Sequence, residues 1–296
     1  MKLPKRIILV RHGESKGNID RSTFTTTPCH LVPLTEIGRE QARIAGENIR
    51  KIIEETTTDS GKNWKVHFYV SPFVRRRQTL RELGKAFEKK RIIGVREECR
   101  IREQGWGNFR VEKEMKVIEE TRLKFGRFFF RYPEGESVAD VYDRVASFLE
   151  SLWGDIHNNR LQQDESDEEI NLVIVAHGSS TRVMLMKLFG WTVEQFEYLK
   201  KFENGEIRTM QLGSGGEYSL AVHHSDEELE KWGLSQEMIS DQRWRLTANK
   251  GEWNKKCSLY RDGFFDHLQH SSDDNDNEND HGDGDGDSDD IINNRE

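Results

Sequence analysis

Arg6-Ile7-Ile8-Leu9-Val10-Arg11-His12-Gly13-Glu14 and, far downstream, Asn171-Leu172-Val173-Ile174-Val175-Ala176-His177-Gly178 are the stretches that decide the fold. Each opens as a short apolar, β-branched run, the pattern of a strand buried on both faces. Each ends in His-Gly. Val66–Val70 reads as another strand, stopping at Ser71-Pro72, and Arg91–Val95 as a further one. Helical spacing fills the gaps. Thr35 is placed as an N-cap, followed by Ile37, Ala42, Ala45, Ile49, Ile52 and Ile53. A helix is expected from about Arg75 to Phe87, and another from about Ser180 to Phe189. Ser137 caps a periodic helix whose apolar face runs Val138, Val141, Tyr142, Val145, Phe148, Leu149 and Leu152. Ile207–Leu212 and Tyr218–Val222 flank a Gly-rich turn, as a hairpin would. Strand–helix alternation predicts a three-layer α/β/α sandwich with a mostly parallel sheet.

The 296 residues are 34% hydrophobic and 33% charged, with a formal net charge of −8. That charge is unevenly placed. Residues 271–296 hold eleven Asp or Glu and one Arg, whereas the rest is close to neutral at +2. A basic nucleic-acid footprint is therefore absent. The reading is one domain over 1–268, with a helical insertion at 112–132 and a helical extension at 225–265, then an acidic tail at 269–296. The tail is too polar to offset its ordering entropy and is expected to be disordered. Its Asp-Gly repeats miss the Gly and Glu positions of a calcium loop, and no metal site is assigned. No apolar run is long enough to span a membrane. Cys29, Cys99 and Cys257 are odd in number and widely spaced. A reducing compartment fits them: the cytoplasm, with the nucleus as an alternative.

In open α/β sheets, ligands lie beyond the carboxyl ends of strands. Neighbouring strands would make His12 and His177 face one another there, with Arg11 and the strand-end Arg75 beside them. Two imidazoles and two guanidiniums suit an anionic substrate, phosphate first. One His-Gly alone would signify little; its repetition carries the reading. Of Arg75, Arg76 and Arg77, at most one is expected to reach the site. Arg182, five residues after His177, is expected at the surface or behind the site. Arg127 and Arg131 are not assigned to it.

These residues form a longer pattern. Val10-Arg11-His12-Gly13-Glu14-Ser15 with Asn18, Leu34-Thr35-x-x-Gly38-x-x-Gln41-Ala42, Ser71-Pro72-x-x-Arg75-x-x-Gln78-Thr79, Pro133-x-Gly135-Glu136-Ser137-x-x-Asp140-x-x-x-Arg144, Ala176-His177-Gly178 and Asn204 follow in order. The set resembles the histidine phosphatase, or phosphoglycerate mutase-like, superfamily across about residues 5–225. The resemblance implies a phosphoglycerate mutase-like fold and a metal-independent reaction. It makes His12 a nucleophile that forms a phosphohistidine. Arg11, Arg75 and His177 would hold the phosphoryl oxygens, and Asn18 would donate an amide hydrogen to them. Glu103, in Ile101-Arg102-Glu103-Gln104-Gly105-Trp106-Gly107, matches the family's proton donor, with Glu97 and Glu98 as alternatives. Its acid role calls for burial or a like charge to raise its pKa.

Water attacking the phosphohistidine gives a phosphatase; return of the phosphoryl group to a sugar acid gives a mutase. Three departures weigh against a mutase. Ile19–Phe24 lacks that class's Gly-Trp-x-Asp, Glu103 precedes Gln-Gly-Trp-Gly rather than Arg-His-Tyr-Gly, and His177-Gly178 precedes Ser-Ser rather than Asn-Ser. A phosphomonoesterase acting on a small phosphorylated metabolite or a phosphoprotein is expected, without a cofactor. A mutase of carbohydrate metabolism, which would use 2,3-bisphosphoglycerate, is the alternative. A non-catalytic phospho-ligand-binding protein is the alternative of another class. Specificity is expected from residues 20–33 and 104–132, with Trp106 and Phe109 packed under the insertion by default. Oligomeric state is not readable.

Overall fold

The computed structural model describes residues 3–57, 64–109, 111–161 and 168–249. The acidic tail and the far end of the 225–265 extension, with Cys257, lie outside the described residues. Strands are β1 (Arg6–Arg11), β2 (Trp64–Val70), β3 (Ile92–Glu97), β4 (Glu169–Ala176), β5 (Ile207–Leu212) and β6 (Tyr218–Ser219). Helices in the first half are α1 (Lys16–Ile19), α2 (Thr23–Thr26), α3 (Glu36–Glu55) and α4 (Val74–Leu83). They continue with α5 (Glu112–Phe125), α6 (Val138–His157), α7 (Gly178–Phe189), α8 (Val193–Tyr198), α9 (Asp226–Lys231) and α10 (Gln236–Thr247). The short helices α1, α2 and α8 carry too few residues for a periodic signal.

The sheet order is β3-β2-β4-β1-β5-β6. β3, β2, β4 and β1 are parallel, and β5 and β6 add an antiparallel edge. The two His-Gly strands are thus neighbours, with Arg11 opposite Ala176. Side chains alternate between two apolar layers, as the strand period requires. Ile7, Leu9, Leu172 and Ile174 face α6 and α7; Ile8, Val10, Val173 and Val175 face α3 and α4. Each such side chain, fully buried, contributes roughly 1.5–3 kcal/mol. Both expected caps are present. Thr35 Oγ1 accepts from Gly38 N at 3.0 Å, and Ser137 and Asp140 form a reciprocal capping box. Among the described residues no helix is long and apolar enough to cross a membrane.

Two elements differ from the sequence reading. β6 stops at Ser219 because α10 captures the backbone beyond it: Leu220 N donates to Gln242 Oε1 at 3.0 Å, and Gln242 O accepts from Ser219 Oγ at 2.5 Å. The insertion is helical only to Phe125. Gly126, at φ +102°, ends α5, and Phe128 and Tyr132 then turn into the core.

Three half-buried histidines outside the strand ends are held in their neutral form. Burial and Arg96 push His67 down to about 4. Burial, His223 and Arg208 push His224 down to about 3, and burial and Arg6 push His223 to about 4. The unfolded chain protonates these groups near 6.5, so their contribution is present above that pH and is lost as pH falls through 6.5 toward the folded values. At pH 5, His67 and His224 each cost about 2 kcal/mol. The urea midpoint is expected to fall steeply between pH 7.5 and pH 5, and less steeply in His67→Gln. Equal midpoints at the two pH values would contradict this.

Candidate active site

The site forms where β1, β2 and β4 end. The loop Arg11–Glu14 is lashed down by side chains of two helices. Gly13 N donates to Thr79 Oγ1 at 3.2 Å, and Glu14 N to Gln41 Oε1 at 2.8 Å. Glu14 O accepts from Thr35 N at 3.0 Å, and Gly205 N donates to His12 O at 3.1 Å. The neighbouring Leu34 N donates to Gln78 Oε1 at 2.8 Å. The loop lies directly on the start of α3. A Cβ on Gly13 would fall 2.0 Å from Gly38 O, and one on Gly38 would fall 2.0 Å from Glu14 O. Both positions require glycine because two backbones touch there.

His12 is 3% exposed. Its Nδ1 lies 2.6 Å from Gly13 O. A carbonyl only accepts, so Nδ1 carries the hydrogen and Nε2 keeps the lone pair. Burial, then the charges of Arg75 and Arg11, hold the ring well below the usual histidine range. It is therefore a neutral imidazole beside two guanidiniums. Arg11 is tied to Phe202 O. Arg75 is tied to Cys29 O, and its Nη2 lies 3.4 Å from Cys29 Sγ. Asn18 Oδ1 accepts from Ser15 N at 3.0 Å, Ser15 Oγ at 2.9 Å and Asn204 Nδ2 at 3.2 Å. The amide nitrogen is the part of Asn18 suited to donate to a ligand.

The His12 and His177 rings lie 6.0 Å apart at 63°. His177 is fully buried, and both ring nitrogens are engaged within the protein. Nε2 is 2.7 Å from Ser71 Oγ, and Nδ1 is 3.2 Å from Glu103 Oε2. The sequence reading put His177 on the phosphoryl oxygens; the structure places it one step behind, on Glu103. Arg76 Nη2 approaches the same Glu103 oxygen at 3.4 Å, while its Nε donates to Ala176 O at 3.4 Å. Glu98 is committed to Arg100 at 2.7 Å, and Glu97 is exposed at the end of β3. Of the three carboxylates considered, Glu103 alone meets His177.

The loop bearing Glu103 is fastened from α6. Glu136 takes Gly105 N at 2.8 Å, Arg102 at 2.6 Å and Arg144 at 3.0 Å. Arg144 also donates to Arg102 O at 3.0 Å and Glu103 O at 3.1 Å. Burial raises the Glu136 carboxyl, but Arg144, Gly105 N and Arg102 outweigh it and hold it low. The Glu136–Arg144 motif is thus a brace for the Glu103 loop.

Above these groups opens a cleft of about 190 Å³. Arg11, His12, Asn18, Arg75, Glu103 and Ser179 line it. Arg21, Phe24 and Cys29 also line it, as do Trp106, Met115, Lys116, Glu119 and Lys201. Both stretches assigned to specificity, 20–33 and 104–132, therefore border it. Trp106 packs on Tyr132 with ring centroids 4.7 Å apart, yet also lines the cleft. Phe109 is 62% exposed and is not part of the lining.

Residues 7–224 match the model of the histidine phosphatase superfamily, branch 1. The chain belongs to that superfamily. It is 58% identical over 269 residues to the phosphoglycerate mutase-like protein AT74 of Arabidopsis thaliana, covering 91% of this chain and 84% of the relative. It is 30% identical to the broad-range acid phosphatase DET1 of Saccharomyces cerevisiae, over 71% of this chain and 86% of that one. The native structure of a mycobacterial glucosyl-3-phosphoglycerate phosphatase shares the fold, with TM-score 0.55 at 21% identity, covering 79% and 100% of the two chains.

Within this superfamily member, Arg76 departs from the sequence reading, and Arg182 keeps only the second of its two expected places. Arg75 and Arg76 are both buried, at 3% and 0% exposure, and only Arg77 is solvated. Arg182 is 1% exposed and donates to Leu199 O at 2.7 Å, because α7 is enclosed on almost every side. Arg127 and Arg131 stay outside the cleft, bound to Glu197 O and Asp140. Ser179 and Lys201 carried no sequence signal beyond proximity to the motifs, and Ser71 was a motif letter without an assigned role.

Proposed function

We propose that the chain is a phosphomonoesterase that works through a phosphohistidine on His12. The observation that carries this reading is the His12 ring. It is neutral, its Nδ1–H is spent on Gly13 O, and it lies between Arg11 and Arg75 in the cleft. In the first step Nε2 attacks phosphorus as the P–O bond to the leaving alcohol breaks. Protonated Glu103 gives that oxygen its proton. In the second step Glu103 takes a proton from water, water oxygen attacks phosphorus, the P–N bond breaks and inorganic phosphate leaves. Arg11 and Arg75 neutralise the phosphoryl oxygens throughout, and Asn18 donates to one of them. His177, fixed by Ser71, orients Glu103. Substrates of this type are small phosphorylated metabolites or phosphoproteins, and the name of the yeast relative supports hydrolysis.

The test is incubation with p-nitrophenyl phosphate and, separately, 3-phosphoglycerate, with and without 2,3-bisphosphoglycerate. Release of phosphate, with an acid-labile, alkali-stable phosphoenzyme, is the expected result. Conversion of 3- to 2-phosphoglycerate that depends on bisphosphoglycerate, without phosphate release, would replace hydrolysis by mutase chemistry. Phosphate binding without turnover would make the chain a binding protein.

Arg76 gives a narrower expectation. Arg76→Met keeps most of the side-chain volume and removes the charge beside Glu103. It is expected to lower kcat about 10- to 100-fold while KM changes little, with partial recovery in Arg76→Lys. A matched change in KM, or no change in either constant, would show that Arg76 does not orient the acid.

A further inference from the structure

The segment between α8 and β5 has no regular secondary structure, yet it holds the reacting residues. Phe202 O accepts from Arg11 Nη1, and Glu206 O accepts from Arg11 N at 3.1 Å. Gly205 N donates to His12 O at 3.1 Å, and Asn204 Nδ2 donates to Asn18 Oδ1 at 3.2 Å. The residues that fix the segment itself lie outside the cleft lining. Arg208, fully buried on β5, is clamped between two rings. Its guanidinium carbon lies 3.8 Å from the Phe202 ring centre and 4.0 Å from that of Trp232. Its Nε donates to Glu206 Oε1 at 2.8 Å, and Glu206 also accepts from Glu203 N. Trp232 follows α9, in the extension. Its carbonyl accepts from Lys200 N at 2.8 Å, and its ring meets that of His224 at 4.6 Å. A Cβ on Gly233, at φ +88°, would fall 2.2 Å from Tyr198 O. The extension thus lies directly on the segment.

A buried guanidinium is costly. Here neither terminal nitrogen makes a hydrogen bond among the described residues. An aliphatic side chain would pack between the rings at less cost. What arginine adds is a flat, charged plate that attracts both ring faces and whose rotation Glu206 fixes. The plate sets where the Phe202 ring lies, and with it the carbonyl that receives Arg11. We infer that Arg208 and Trp232 are positioning residues for Arg11, acting through Phe202, so that the extension after residue 225 helps to build the phosphoryl site. The inference rests on the phosphomonoesterase reading, in which Arg11 neutralises the phosphoryl oxygens, and adds two residues remote from the cleft to that machinery.

The experiment is a double-mutant cycle on kcat/KM for p-nitrophenyl phosphate, with Arg11→Met as the second site. In the wild-type background Trp232→Leu is expected to lower kcat/KM about 10- to 100-fold, the size of a small misplacement of a binding group. Trp232→Phe, which keeps a ring over the plate, is expected to retain most of the activity. In the Arg11→Met background Trp232→Leu is expected to cost less than about threefold, because the group it aims is gone. Arg208→Met is expected to follow the same pattern and serves as the disruption if Trp232→Leu does not fold. Equal losses in the two backgrounds, or no loss in the wild type, overturn the inference. Absence of hydrolysis by the wild-type chain would instead be a failure of the phosphomonoesterase reading. The same cycle, read on the rise in thermal midpoint that inorganic phosphate produces, then decides the inference by itself.

Discussion

His12→Ala is expected to lower phosphomonoester hydrolysis by about four orders of magnitude or more and to abolish the labelled phosphoenzyme. The size follows from the two-step route: without the imidazole no P–N bond forms, and water must attack the ester directly. The groups that bind phosphate remain. Arg11 is anchored on Phe202 O and Arg75 on Cys29 O, neither through His12. Inorganic phosphate should therefore still raise the thermal midpoint of the variant. That control separates loss of the nucleophile from loss of the fold. Residual turnover within tenfold of wild type would rule out His12 as the nucleophile.

Glu103→Gln is expected to divide substrates by leaving group. For an alkyl phosphate the departing alkoxide is strongly basic, so losing the proton donor should cost about 10²- to 10⁴-fold. p-Nitrophenolate leaves without help, so its first step should change far less. The second step still needs a base. With p-nitrophenyl phosphate the variant should therefore show a burst of one p-nitrophenol per enzyme, then slow turnover while phosphohistidine persists. Gln keeps a carbonyl acceptor for His177 Nδ1–H and for Arg76, so the local hydrogen bonds remain possible. Equal losses on both esters with no burst would remove Glu103 from the proton-transfer role.

Much of the fold was legible because its central strands are buried on both faces. A run such as Leu172–Ala176, fully buried residue by residue, leaves no polar alternation to confuse the period. Thr35 and Ser137 announced their helices through cap chemistry. The motif residues Gln41, Gln78 and Thr79 were visible as letters, but their work was not. Each fills a backbone partner on a loop remote in sequence, which spacing cannot show. The three consecutive arginines illustrate the limit best. Successive helical residues point about 100° apart, and the packing of α4 decides which of them turn inward. Of the two places read for Arg182, the surface fails because α7 has almost no exposed side. Lys201 lies in a segment between α8 and β5 with no period at all. The shortening of β6 depends on Gln242, a residue of another element.

The brace of Glu136 and Arg144 brings one last consequence. It grips the chain at Arg102, Glu103 and Gly105, ahead of the insertion, and is itself rooted after it, at the start of α6. The span between is bracketed like a cassette. Its exposed side chains, those of α5 foremost, can change by evolution or by grafting without displacing the acid. The chemistry and the choice of substrate are thereby separately adjustable modules, and a chimera carrying a relative's segment between Gly107 and Tyr132 should exchange specificity while keeping the reaction.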